Sequence, residues 1–298
     1  MTASCEKMAV GDDVPTNGDS RQEANVVIRI ADIEAGWDGE STRTMVNVAE
    51  VCTRVNLAVY QDGTRVKLQN QTAADNNFGT IALQLSPGTY QLLVLAHSGK
   101  ANPTTTKPVE IQFTNPDTSS GTGFTDTFYY YGTLVVGDSG VQMDISMKRA
   151  TAMFRLATTD VKPAKVKKLQ FYYTGGSGAL NVVSGYGCKD SKQSVFVTLD
   201  DTMTGSKVQC DMYTFLHEET GKLNFIVKAF DADDDIVYET EFNDVPMQRN
   251  CITRYTGALF TTDDKGTDVE PVGPEPGETT PTAIMVDPEW AKVFDYKF

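Results

Sequence analysis

The sequence predicts an all-β protein built as two tandem β-sandwiches. Three observations carry that reading. Apolar and polar residues alternate over short runs through most of the chain, the period-2 pattern of a strand with one buried face. Clusters of Gly, Pro, Asn, Asp and Ser punctuate those runs, as turns do in sandwich proteins. No segment sustains a 3.6-residue apolar period, so helix content should be low.

The elements follow in order. Residues 6–24 are polar and read as a flexible leash. Asn25 to Ile30 is the first strand. Residues 42–55 fit either a helix turn or a strand. Val55, Leu57 and Val59 then alternate with Asn56, Ala58 and Tyr60. Gln61-Asp62-Gly63-Thr64 is a hairpin turn, Gly63 supplying the positive φ. Val66 and Leu68 lie on the return strand. Ile81, Leu83 and Leu85 lead through Ser86-Pro87-Gly88 into Tyr90, Leu92, Val94 and Ala96. Val109 to Phe113, Phe128 to Val136 and Val141 to Met147 complete the first unit.

Lys148-Arg149-Ala150 marks a boundary, after which the same grammar restarts. Strands are expected at 153–156, 166–173, 195–199 and 208–215, with Gly175-Gly176-Ser177-Gly178 as a flexible turn. Leu223 to Val227 should pair with Ile236 to Tyr238 across Asp231–Asp235, and 252–260 should close the unit. The predicted organisation is a lipoprotein-type N-terminus and leash over 1–24, sandwiches over 25–148 and 149–260, and a tail over 261–298. That tail carries nine acidic residues against three lysines. Pro271, Pro274, Pro276 and Pro281 stiffen it. It ends in Val293, Phe294, Tyr296 and Phe298, a candidate donor strand for an open sheet edge.

Composition excludes several functions. The 298-residue chain is 40% hydrophobic with a formal net charge of −14. Such acidity opposes binding to nucleic acid or anionic headgroups. Cys52, Cys188, Cys210 and Cys251 are widely spaced without neighbouring histidines, so no zinc site is expected. They either pair as disulfides or serve as buried hydrophobes. His97, at a strand end, and His217, in a turn, are the two histidines, and no Gly-x-Ser-x-Gly elbow occurs. Asp231, Asp233 and Asp235 have calcium-loop spacing, but Ile236 replaces the required glycine and Phe242 the bidentate glutamate, which leaves a solvated turn. No cofactor, small-molecule substrate or enzymatic activity is expected.

Cys5 follows Thr2-Ala3-Ser4, the slender side chains a lipoprotein signal peptidase requires. The expectation is that Met1 lies inside a truncated export signal and that Cys5 becomes an acylated N-terminus. Tyr129 to Tyr131, Tyr172 and Tyr173 supply an alternative, a surface lipoprotein that stacks sugars on exposed rings.

Several motifs resemble the FimB-like fimbrial subunits of Bacteroidota, within the fimbrillin superfamily. They are the run Cys52 to Gly63, then Gly88-Thr89-Tyr90, Ala96 to Gly99, Asp126 to Gly132 and Lys148 to Arg155. Val245-Pro246 followed by Asn250, Thr253, Arg254, Gly257 and Leu259 is similar to that family's closing strand. The resemblance spans roughly residues 25–260. It implies transthyretin-like Greek-key sandwiches, export to the outer membrane as a lipid-anchored surface protein, and assembly with other fimbrial subunits by β-strand insertion. Arg43 and Arg54 stand in the region where that family's stalk subunits are cleaved.

Overall fold

A computed structural model describes residues 24–34, 47–113, 124–260, 290 and 292–298. Cys5 and Arg43 lie outside the described residues. The first half contributes β1 (Val26–Glu34), α1 (Val48–Val51), β2 (Arg54–Gln61), β3 (Thr64–Thr72), β4 (Thr80–Leu83), β5 (Gly88–His97), β6 (Thr104–Lys107), β7 (Glu110–Gln112), β8 (Thr127–Val136) and β9 (Val141–Arg149). The second contributes β10 (Ala152–Thr158), β11 (Lys168–Ser177), β12 (Ala179–Asn181), β13 (Tyr186–Gly187), β14 (Asp190–Thr198), β15 (Gln209–Thr214), β16 (Thr220–Phe230), β17 (Ile236–Gln248), β18 (Cys251–Gly257) and, from the tail, β19 (Lys292–Lys297). Among the described residues no helix is long and apolar enough to cross a membrane.

The first half is hydrogen-bonded in the order β3-β2-β5-β8-β9-β1-β4. This sheet folds over on itself. β8 and β9 are paired within the strands only at Phe128↔Arg149 and Tyr129↔Lys148, so β3-β2-β5-β8 faces β9-β1-β4 across a core of Ile28, Leu57, Leu92, Phe128 and Ile145. The second half repeats the plan strand for strand. β14-β11-β16-β17 faces β15-β10-β18, and its core includes Phe154 stacked on Phe225, centroids 4.1 Å apart. In each half the first strand runs parallel to the last, β1 with β9 and β10 with β18. In each it runs antiparallel to a mid-sequence strand, β4 or β15. Such skipped neighbours are the mark of Greek-key connections.

A third layer joins the halves. β6 and β7 from the first continue into β12 and β13 of the second, with Ile111 paired to Leu180. Ala58, Leu93, Leu95, Phe124, Leu180 and Phe215 form one apolar cluster beneath it. β8 shows how the pattern serves both cores: Phe128 and Tyr130 turn into the first sandwich, Tyr129 and Tyr131 toward the joint.

Local chemistry explains most elements. Gly63 has φ +77° and Asp62 φ +49°, the left-handed pair a two-residue hairpin needs. Asn47 caps α1, its side chain accepting from the Ala49 N–H at 3.0 Å. That short helix resolves the ambiguity at 42–55 for the part described. Asp231 accepts from the backbone of Asp233 and Asp235, closing the turn between β16 and β17. One expectation is corrected. Gly175 to Ser177 is not a flexible turn but the end of β11, bulged between Tyr173 and Gly176. Gly175 has φ +96°, and a Cβ on Gly176 would collide with the Thr214 side chain. The buried Ser177 Oγ lies 2.7 and 2.8 Å from the carbonyl oxygens of Ala179 and Lys189, either of which can accept its single proton. The glycines here permit close packing.

Candidate functional site

The candidate site is the outer edge of β18 and the segment lying along it. β19 pairs parallel to β18, with Cys251 opposite Lys292, Thr253 opposite Phe294 and Tyr255 opposite Tyr296. Tyr296 and Phe298 are half-buried against the second core, Val293 is half-buried beside Met153, Ile252 and Trp290, Phe294 is half-buried, and Asp295 and Lys297 face solvent. Tyr296 stacks on Tyr255 at 5.0 Å. Phe298 meets Phe242 edge-on at 4.9 Å. Asp295 lies 3.1 Å from the Arg254 guanidinium. Such aromatic contacts contribute about 0.5–1.5 kcal/mol each beyond their burial; the exposed ion pair adds less than about 1 kcal/mol.

Trp290, ahead of β19, is buried against Met153 and Ile252. The Arg149 guanidinium lies over its ring at 3.9 Å and over Phe128 at 4.8 Å. Arg149 ends β9, at the junction of the halves. It also donates to both Asp126 oxygens and, at 2.6 Å, to the Asn250 side-chain oxygen. One guanidinium therefore touches the first sandwich, the second and the tail.

Donor-strand candidates Val293, Phe294, Tyr296 and Phe298 are thus brought together on this chain's own second sandwich. Arg54, the other described candidate, opens β2. Its guanidinium donates at 2.8 Å to the carbonyls of both Gly99 and Lys100. Of the aromatic residues weighed for sugar stacking, Tyr129 and Tyr173 are buried, the latter donating to the Tyr213 carbonyl at 3.0 Å.

Cys52, Cys188, Cys210 and Cys251 are all free thiols; only Cys188 is exposed. Burial pushes the Cys210 thiol up to about 12, so it packs as an inert apolar side chain. Among the described residues no group of three His, Cys, Asp or Glu is placed to hold a metal. His97 is buried at the end of β5. Its Nε2 donates to Asn56 Oδ1 at 2.9 Å and its Nδ1 accepts from the Gly99 N–H at 3.0 Å. Burial first, then the nearby Arg54 charge, lowers its pKa to about 4. Sequence reasoning placed His97 at a strand end but missed this role. It also missed Trp290 and Arg149 as a contact, because no spacing rule links residues so far apart in the chain.

Fold and edge together define a two-sandwich β-protein carrying one appended strand. The chain belongs to DUF6562, a family of unknown function whose model matches residues 18–291. No curated protein matches it. Among solved structures it is similar to a protein described as a "putative adhesin" from Bacteroides ovatus ATCC 8483, at 15% identity and a TM-score of 0.50, covering 92% of this chain and 100% of that one. That match shows a common fold. A weaker likeness is to "putative polysaccharide binding proteins (DUF1812)" from Bacteroides thetaiotaomicron VPI-5482, at 13% identity and a TM-score of 0.48, covering 74% of this chain and 80% of that one. Another is to the fimbrial anchor protein Mfa2 from Porphyromonas gingivalis, at 12% identity and a TM-score of 0.38, covering 72% and 80%.

Proposed function

We propose that this chain is a structural subunit of a fimbrial adhesion system, an anchor-type protein held at the outer membrane through an acylated Cys5. It joins other subunits by donating a β-strand, and it performs no catalysis. The observation that carries the reading is β19. It lies on a sandwich whose strand set is already complete, and residues 258–291 separate it from β18. A peripheral strand on a long connection is suited to leave one sheet edge and satisfy the backbone groups of another. The adhesin fold match and the fimbrillin-like motifs support the same role. Of the two arginines, Arg43 is the better processing site, because cutting at Arg54 would require opening β2 and three or more hydrogen bonds.

Deleting residues 282–298 tests this. Both sandwiches should remain folded by circular dichroism, while co-purification of a second subunit from the native host is lost. Undiminished co-purification would remove the tail from assembly.

A further inference from the structure

Arg149 stands at the covalent link between the sandwiches. Only Ala150 and Thr151 separate β9 from β10, and both are tied down. The Ala150 N–H donates to the Thr127 carbonyl at 2.8 Å, and the Asn250 N–H donates to the Thr151 carbonyl at 2.9 Å. Beside this link the Arg149 guanidinium holds one element of each half: Asp126, just ahead of β8, and Asn250, in the turn before β18. Tilting one sandwich against the other pulls at both.

Trp290 closes this site from the tail. It is anchored on the second sandwich, against Met153 and Ile252, with the Tyr213 ring centroid 6.2 Å from its own. Yet the guanidinium over its ring is supplied by β9 of the first sandwich. The seat of Trp290 therefore depends on a closed joint. Covering a guanidinium stripped of Asp126 and Asn250 buries an unpaired charge, whereas covering the paired one does not. The dependence also runs the other way. With Trp290 undocked, water reaches the Arg149–Asp126 pair, and the higher local dielectric weakens it.

We propose that the tail is a latch on the joint: seating residues 290–298 and holding the two sandwiches in one orientation are coupled through Arg149. The coupling lies within one molecule and goes beyond the strand-donor reading, since it holds whether or not the strand is ever donated. Linkage makes it reciprocal. A closed joint tightens the tail by the same factor, about tenfold, by which a seated tail tightens the joint. Undocking the tail loosens the contact between the halves, although β19 itself pairs with β18, in the second sandwich.

Asp126→Asn tests this in the full-length chain, because Asp126 belongs to the first sandwich and reaches the tail through Arg149. Hydrogen exchange read by mass spectrometry should show amides 292–297 exchanging about tenfold faster than in the wild type, with amides of the β11–β16 core as the reference for global stability. In a Trp290→Leu background the same change should alter β19 exchange by less than about twofold, because the contact that carries the coupling is gone. Conversely, Trp290→Leu alone should speed exchange in β7 and β12, the strands through which the halves share a sheet. β19 exchange unmoved by Asp126→Asn, or moved equally with and without Trp290, overturns the proposal. If Asp126→Asn does not fold, Thr151→Val takes its place with the same two outcomes, since it removes a 2.9 Å hydrogen bond to the same carboxylate. Neither failure touches strand donation, which the tail deletion tests separately.

Discussion

Arg149 and Asp126 form a two-pronged ion pair at the junction of the sandwiches. Nε donates to Oδ1 at 2.9 Å and Nη2 to Oδ2 at 3.0 Å. The arginine side chain is 1% exposed and the aspartate 17%. Thr151 adds a hydrogen bond to the same carboxylate at 2.9 Å. Removing the aspartate takes this two-pronged partner from a buried guanidinium. Asp126→Ala should therefore cost about 1.5–3 kcal/mol, read as a lowered urea midpoint.

Gly257→Ala should dislodge the end of the tail without unfolding the sandwiches. A Cβ at that position would run into the Phe298 carbonyl and come within 2.7 Å of its ring. With Trp37→Phe leaving Trp290 as the sole tryptophan, the variant should show red-shifted fluorescence. The global unfolding free energy from urea titration should change by no more than about 1 kcal/mol.

Trp290→Ala should weaken tail docking by about 2–3 kcal/mol, from lost apolar burial and the lost contact with Arg149. Faster proteolysis between 261 and 298, with the two sandwiches surviving as a resistant core, is the expected readout.

His97 predicts an acid-side loss of stability. Its pKa is about 4 in the folded chain against an ordinary 6.5. The folded state holds the neutral ring, so the contribution is complete above about pH 6.5 and is lost as pH falls toward 4, by roughly 3 kcal/mol. Urea midpoints measured from pH 7.5 to 4 should fall for the wild type. His97→Gln should flatten that part of the curve.

Cys5→Ser should move the exported protein from the membrane fraction to the soluble fraction. Retention in the membrane fraction would exclude a lipid tether at this residue.

Much of the fold was legible because one-sided burial writes itself into sequence. β2 is the exception: its alternation predicts one buried face, but Leu57 and Val59 fill the first core while Ala58 and Tyr60 point to the joint, so both faces are buried. Gly63 was legible because only a left-handed turn asks for it there. The sheet shared by β7 and β12 was not, since it rests on three-residue strands from opposite halves. Gly175-Gly176 misled for a related reason: glycine marks both loops and close approaches, and only the Thr214 contact distinguishes them. The tail was recognisable as a strand from Phe294, Tyr296 and Phe298. Its berth on β18 depends on Tyr255, Phe242 and Arg254, whose convergence is a property of the folded sheet.

A donor role requires β19 to be separable from the sandwich beneath it. Hydrogen exchange followed by mass spectrometry on the full-length chain measures this directly. Amides of residues 292–298 should exchange through a local opening at least about 100-fold faster than those of β10, and their rate should be insensitive to low urea. If they exchange only as fast as the β10 core, with the same urea dependence, the strand is an integral part of the fold and the donor role is contradicted.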